Sequence, residues 1–343
     1  MTQIRSSPCP ACLLCGREGR LLYSALGDRL FGTEGAWTLV QCPDAACGLI
    51  WLDPMPLEED IAHAYEQYYT HVDRLDRQDS WVLRLFLAAK RGYLARRYGY
   101  RRDEISMAQW LAGWLICLHP GRRAVLDFNV MWLHQRAGGR LLDVGCGTGE
   151  FLSFMQGLGW RAAGVDFDAQ AAANAAAKGV QVHVGHLGEQ RFGDNMFDAV
   201  TMSHFIEHVH DPSRLIGECH RILRPGGTMV AVTPNSKSLG HYLYEDKWMH
   251  LDPPRHLHLF NVNNLRRMAE PHDFSQLDIF ASLRDAYGMF IGSRSILRNG
   301  RHDLGSTPGS AERLRARAME LFEWLAMKRA ATLGEELVLI ARK

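Results

Sequence analysis

Three groups of residues in this 343-residue chain have types and spacings suited to chemistry. The first is the run Arg140-Leu-Leu-Asp-Val-Gly-Cys-Gly-Thr-Gly-Glu-Phe-Leu-Ser-Phe154, in which Gly145, Gly147 and Gly149 form a G-x-G-x-G pattern. Glycines at a strand-to-helix turn let the backbone pass close to a ligand, with helix N–H groups facing it. Dinucleotide folds usually want G-x-G-x-x-G, so this spacing points away from a nicotinamide cofactor. Asp143 sits just ahead of the glycines. Asp166 ends a second apolar strand, where a carboxylate can accept hydrogen bonds from both hydroxyls of a ribose.

The second group is a cluster of cysteines. Five of the eight lie between Cys9 and Cys47, in Cys12-Leu-Leu-Cys15 and Cys42-Pro-Asp-Ala-Ala-Cys47 plus the spare Cys9. In a reducing compartment such clusters read as metal ligands before disulfides. Two knuckles flanking a hairpin describe a zinc ribbon, with a structural zinc expected on Cys12, Cys15, Cys42 and Cys47. The wider second spacing requires its loop to bulge.

The third group is rich in histidine. Ser203-His-Phe-Ile-Glu-His-Val-His-Asp-Pro212 follows a strand, where ligands bind in open α/β folds. Farther on lies Trp248-Met-His-Leu-Asp-Pro-Pro-Arg-His-Leu-His-Leu-Phe260, within an irregular stretch from Tyr242. Histidine serves as a base near neutral pH, which makes His208 the first candidate, with Glu207 and His256 beside it. Arg255 and His256 suit an anionic or hydroxylated acceptor. A metal on His250, His256 and His258 is disfavoured, because alternate residues of an extended chain point to opposite faces.

Positioning these groups requires alternating strands and helices, the signature of a mostly parallel sheet. The pattern predicts strands at Leu141–Val144, Ala162–Asp166, Val180–Val184, Phe197–Met202 and Thr228–Thr233. Helices are predicted at Gly149–Leu158, Ala169–Lys178 and Pro212–Leu223. Arg224-Pro-Gly-Gly227 reads as a sharp turn into the fifth strand, Thr233-Pro-Asn235 as its end facing the ligand cleft, and Glu336–Ala341 as a closing strand. Ahead of this core, Val82, Leu85, Phe86, Ala89 and Tyr93 fall on one helix face, with Arg84, Arg91 and Arg97 opposite. Met107–Leu118 is apolar nearly all round and is expected to cover the active site, with burial in a dimer or contact with a membrane surface as the other uses. The expected division is a ribbon module at 1–55, a helical linker or cover at 56–138 and a catalytic domain at 139–343.

Apolar residues make up 47% and charged residues 22%, ordinary for a globular protein, and the net charge of +1 exerts no general pull toward nucleic acid. The first residues lack the apolar core of a signal peptide, and the longest apolar run is too short to span a bilayer, so a cytoplasmic location is expected.

The run LLDVGCGTGEF, the Glu207-His208 pair and the turn Arg224–Gly227 resemble the class I S-adenosylmethionine-dependent methyltransferases. With a ribbon in front, and Leu52-Asp-Pro-Met-Pro and the aromatic Tyr65-Glu-Gln-Tyr-Tyr69 after it, the chain resembles a bacterial family linked to polysaccharide and secondary-metabolite pathways. The resemblance implies an α/β, Rossmann-like seven-stranded core, the seventh strand antiparallel between the fifth and sixth, with the small ribbon and a helical insert. It implies S-adenosylmethionine contacts at Asp143, Gly145, Cys146, Gly147, Gly149, Asp166, Phe167, Leu187, Ser203 and His204. At the adenine position, where relatives place an acid, His186 stands instead, which shifts the expected contact to the backbone of Leu187. The expected reaction is O- or C-methylation of a small polar acceptor, a sugar or glycoconjugate precursor, in a cleft between the His204–His208 loop and the Tyr242–Phe260 segment. An RNA methyltransferase using the ribbon and the basic helix, and a non-catalytic interaction protein, are the rival readings.

Overall fold

The computed structural model describes residues 4–65 and 81–343. Of the aromatic stretch Tyr65–Tyr69 only Tyr65 falls within them; Glu66, Gln67, Tyr68 and Tyr69 lie outside the described residues.

At the N-terminus, β1 (Ser6–Ser7) pairs with β5 (Met55–Pro56), while β2 (Arg20–Leu26), β3 (Trp37–Gln41) and β4 (Ile50–Leu52) form an antiparallel sheet. Trp37, Leu39, Leu49, Trp51 and Leu52 are buried, so the small module has an apolar core of its own making. A fourth strand, β11 (His258–Leu259), joins from far along the chain, placing His258 opposite Trp51 and Leu259 opposite Ile50.

Three helices follow: α1 (Trp81–Tyr98), α2 (Met107–Ile116) and α3 (Pro120–Phe128). Ser106 caps α2 in a reciprocal capping box with Gln109. Helices α1 and α2 meet at Gly92 and Gly113. A Cβ on Gly92 would stand 1.8 Å from the Gln109 carbonyl oxygen, and one on Gly113 2.4 Å from the Tyr93 nitrogen, so no larger residue allows this approach. The expected faces of α1 hold only in part: Tyr93 is buried and Arg84, Arg91 and Arg97 are exposed, yet Leu85 is exposed too. Helix α2 buries only Gly113 and Ile116; Met107, Trp110, Leu111, Trp114 and Leu115 on it are exposed, as is Leu118 just beyond. The burial expected of a cover is therefore not seen along this helix. With its contact stripe made of glycine, the large side chains are left on the other faces.

The remaining elements are β6 (Arg140–Val144), α4 (Glu150–Gly157), β7 (Arg161–Asp166), α5 (Ala169–Ala177), β8 (Gln181–Val184), β9 (Phe197–Ser203), α6 (Pro212–Ile222), β10 (Leu223–Pro234), α7 (Leu239–Tyr244), α8 (Val262–Ala269), β12 (Gln276–Ser282), α9 (Ala286–Asn299), α10 (Ser310–Met327) and β13 (Glu336–Arg342). Seven strands form one sheet in the order β12-β13-β10-β9-β6-β7-β8, with β6 parallel to both β7 and β9 and β7 parallel to β8. This is the expected Rossmann-like order, with the C-terminal strand set between the fifth and sixth strands of the core. Two predictions need correction. The Arg224–Gly227 turn lies inside β10, because Gly226, with φ of 73°, donates its N–H to Lys343 and Gly227 accepts from the Lys343 N–H, which carries the ladder through. The sixth strand, β12, was not read from the sequence; its buried and exposed residues alternate only weakly.

The chain divides into two compact units. One gathers the N-terminal segment through residue 65 with Ser203–Gly217 and Ala231–Ala341; the other runs from residue 81 to Met202 and adds Glu218–Val230 and Arg342–Lys343. These boundaries differ from the expected division at 55 and 138, since β11 ties the ribbon to the later part of the chain. Among the described residues, no helix is long and apolar enough to cross a membrane.

Candidate active site

The glycine turn lies in the second unit. Gly145, Gly147 and Gly149 have φ of 74°, 50° and 71°, the left-handed region in which side chains are strained. Gly149 caps α4, and a Cβ there would come 2.7 Å from that of Ala175. Around Gly147 the space is open: no atom lies within 4 Å of where a Cβ would be.

Asp166 is buried at the end of β7. Its Oδ2 accepts the Gly147 N–H at 2.7 Å and its Oδ1 the Asp168 N–H at 2.9 Å, so the carboxylate shapes the turn as well as offering its remaining lone pairs outward. Burial raises its pKa, and the backbone donors offset part of that rise. Asp143 is turned onto the neighbouring strand, where Thr201 Oγ1 donates to it at 2.6 Å. Burial, and secondarily Asp166, push its carboxyl up to about 7 despite that bond. Cys146 is buried, and a Cβ on Gly164 would lie 2.3 Å from its Sγ. Phe167 is exposed beside Asp166, and Leu187 is buried at the start of a short 3-10 turn whose Glu189 carboxylate accepts the His186 N–H.

The histidine-rich residues lie in the first unit. Glu207 is fully buried at the centre. Its Oε2 accepts from Thr233 Oγ1 at 3.0 Å, while its Oε1 has no hydrogen-bond partner, with His204 Nδ1 at 3.4 Å and His256 Nε2 at 4.0 Å. Burial would raise this carboxyl, but the neighbouring His204, His208 and His256 outweigh it and hold it down at about 2. His208 Nδ1 is 2.9 Å from both the Arg255 carbonyl oxygen and the Tyr65 hydroxyl. A carbonyl only accepts, so Nδ1 carries the proton and Nε2 the lone pair. His256 Nδ1 likewise reaches the His250 carbonyl oxygen at 2.7 Å. Burial depresses both rings to about 4, which leaves them neutral at pH 7.

His204 adopts a strained φ of 50°. Its Nε2 lies 2.8 Å from Glu336 Oε1, which also receives Arg284. Burial opposes its charge, yet Glu207 and Glu336 raise its pKa to about 10. His204 is thus a buried cation within an acid–base chain. His250 stacks on it, and burial keeps that ring neutral. His258 sits in β11 opposite Trp51, and among the described residues His250, His256 and His258 do not form a three-ligand cluster.

Two expectations fail here. Arg255 cannot meet an anionic acceptor: fully buried, it binds Asp28 through two 2.8 Å bonds, takes both oxygens of Asp252, donates to the Ala64 carbonyl and lies 4.5 Å over the Phe31 ring. Asn235 does not face a cleft, since its side-chain amide donates to the carbonyls of Thr332 and Gly334. Tyr65, Asp28, Glu336 and Arg284 were missed. Each is a common residue in an unremarkable local context, and only the fold brings it to the site.

The four ribbon thiols converge, all within 4.8 Å of one another, with Cys12 and Cys47 3.8 Å apart and Cys15 and Cys42 3.4 Å apart. A tetrahedral zinc with Zn–S near 2.3 Å needs thiolates roughly 3.8 Å apart, so the set fits. Cys9 stands outside it, its N–H donating to Asp53 and its carbonyl accepting from Trp51. Asn261 and Asn264 donate to the Cys47 carbonyl and fix the second knuckle.

Comparison with known proteins agrees with the turn. Residues 121–278 match the family described as a methyltransferase domain. The chain is 35% identical over 104 residues to a probable S-adenosylmethionine-dependent methyltransferase of Mycolicibacterium smegmatis, covering 30% of this chain and 40% of that protein. It is 34% identical over 117 residues to a ubiquinone biosynthesis O-methyltransferase of Pseudomonas aeruginosa, covering 31% and 50%. A solved S-adenosylmethionine-dependent methyltransferase of Thermotoga maritima, described as a possible histamine N-methyltransferase, is similar at 18% identity and TM-score 0.45, covering 82% of this chain and 99% of that one. The match spans half or less of the length of these curated relatives. Residues 121–278 accordingly read as a methyltransferase domain, on a family match that spans less than half of this chain.

Proposed function

We propose that the whole protein is an S-adenosylmethionine-dependent methyltransferase that methylates oxygen or carbon of a small polar acceptor, a sugar, glycoconjugate or secondary-metabolite precursor. The observation that carries this reading is the buried pole of Glu207, His208 and His256, where two neutral imidazoles keep lone pairs beside a carboxylate oxygen that the His204 ring approaches to 3.4 Å. Such a pole suits a hydroxyl or an acidic C–H. The nucleophile attacks the donor methyl, the S–CH3 bond breaks, S-adenosylhomocysteine leaves, and the acceptor's proton passes to a base. His208 is the residue proposed for that proton, with Glu207 and His256 orienting the acceptor. A relative named for ubiquinone biosynthesis O-methylation supports a small-molecule acceptor. With Arg255 committed to two aspartates, recognition of an anionic acceptor has lost its main candidate.

The donor is proposed to lie along Gly145–Gly149, with its ribose on Asp166 and its adenine against Phe167 and the backbone of Leu187. The ribbon is proposed to hold one zinc on Cys12, Cys15, Cys42 and Cys47, structural because four thiolates leave no open position. Labelled S-adenosylmethionine offered with a panel of hydroxylated metabolites and with RNA tests the function. Label should enter the small molecules; label confined to RNA would overturn the proposal. Elemental analysis should find ribbon zinc that is lost on joint Cys42→Ser and Cys47→Ser substitution.

A further inference from the structure

The pole around Glu207 has a property beyond acceptor binding. One oxygen of Glu207 and one ring nitrogen each of His208 and His256 lie within 4.8 Å of one another. Two histidines with a carboxylate form a ligand set for divalent transition ions that leaves coordination positions open. We propose that Glu207, His208 and His256 bind a divalent transition-metal ion, separate from the ribbon zinc, with open positions for a hydroxyl-bearing ligand.

Four observations support the site. Glu207 is fully buried, and its Oε1 is turned toward His256 Nε2 at 4.0 Å, with the His204 Nδ1 approaching it to 3.4 Å. Thr233 holds the other oxygen and so fixes which one is offered. Both imidazoles donate Nδ1–H to backbone carbonyls, of Arg255 and of His250, the outer support that ligating histidines ordinarily have. The chemistry is also unobstructed, since neither ring has to lose a proton before its Nε2 can coordinate.

Geometry limits the ion as well. Ligand bonds of about 2.0–2.2 Å place ligand atoms roughly 3.0–3.5 Å apart, closer than the 4.0 Å between His256 Nε2 and Glu207 Oε1. The rival occupant of Glu207 Oε1 is His204, whose Nδ1 stands 3.4 Å away and whose other nitrogen is engaged by Glu336. The His204 cation satisfies Glu207 Oε1 without metal, so an ion has to compete with it. Metal binding itself does not depend on the methyl-transfer reading; only a role for the ion in activating an acceptor hydroxyl rests on it.

The test uses the full chain with zinc already in its ribbon and neither donor nor acceptor present, so that its outcome is independent of the proposed reaction. Mn2+, which thiolates hold poorly, is titrated in and followed by loss of the free-ion electron paramagnetic resonance signal, with Co2+ uptake as a second readout. One equivalent should bind. Glu207→Gln, which keeps the side-chain shape, His256→Gln and His208→Ala should each weaken binding more than about tenfold, since even loss of an outer-shell partner costs about 10–100-fold. Thermal unfolding like that of the wild type identifies the variants that remain folded. No uptake of either ion by the wild type, or uptake unchanged in the folded variants, would overturn the site.

Discussion

The turn from Gly145 to Gly149 takes its shape from nearby sequence: Asp166, 19 residues beyond Gly147, accepts its N–H, and three glycines supply the backbone angles. The pole around Glu207 is assembled from distant pieces. Thr233 is 26 residues from Glu207, Glu336 is 132 from His204, and Tyr65 is 143 from His208. A locally encoded site tolerates change elsewhere and can recur across many proteins, because its geometry travels with one motif. A site built from long-range contacts depends on the whole unit, and its acceptor preference can diverge while the donor turn stays the same. Mutations should therefore separate the two, with turn variants read in donor affinity and pole variants in turnover or stability.

The sharpest separation should come from His208→Asn. If its Nε2 serves the acceptor, as base or as metal ligand, turnover should fall by about 10²–10⁴-fold while S-adenosylmethionine affinity stays nearly unchanged. Retention of most of the turnover would remove His208 from the chemistry.

Arg255→Met tests the framework of the same pole. It strands the buried carboxylates of Asp28 and Asp252, and breaking a buried pair from one side costs about 3–5 kcal/mol. Denaturant unfolding should show that loss, while donor affinity measured on the folded fraction should not follow it. A loss below about 1 kcal/mol would mean that Arg255 does not organise the pole.

On the donor side, Asp166→Ala should weaken S-adenosylmethionine binding by about 2–4 kcal/mol, because charge-assisted bonds to the ribose disappear and the Gly147 N–H loses its acceptor. Asp166→Asn, which keeps one acceptor oxygen, should lie between Ala and wild type in calorimetry. Equal affinities in all three would break the ribose assignment.

The smallest effect concerns Glu323. Burial pushes its carboxyl far above the ordinary range and Glu335 adds to the rise; one oxygen accepts the Glu335 N–H and the other has no partner. Glu335 is better supplied, accepting from Gly240 and Trp248, and burial raises its carboxyl less, to about 8, so a proton is held most firmly on Glu323. The folded state keeps this proton where the unfolded chain releases it. Stability is therefore complete below about pH 4 and falls as pH rises toward the raised pKa. Glu323→Gln should flatten that slope, leaving the smaller part due to Glu335, and gain about 1–2 kcal/mol at pH 8 and nothing near pH 4. Parallel unfolding curves for the two proteins across that range would show that Glu323 is ionised in the fold.

How far the sequence could be read follows the same division. The strands β6 to β10, the glycine turn and the four ribbon cysteines were legible because each depends on periodicity or spacing within a short window. Helix α2 looked like a buried cover because its apolar residues encircle it, yet a contact made through Gly92 and Gly113 leaves Trp110 and Trp114 exposed. Arg255 looked like an acceptor ligand because a charge beside prolines and histidines suggests an open loop. Its partner Asp28 lies 227 residues away, and no local pattern could pair them. Glu207 and His208 were recognised as a motif, but the Tyr65, Thr233 and Glu336 contacts that define their protonation required the fold.

The most direct test of the central claim is calorimetric titration of the full chain with S-adenosylmethionine and, in parallel, with a nicotinamide dinucleotide. The account predicts one S-adenosylmethionine site per chain, weakened by Asp166→Ala, and no comparable binding of the dinucleotide. Tighter binding of the dinucleotide, or no binding of S-adenosylmethionine, would contradict it.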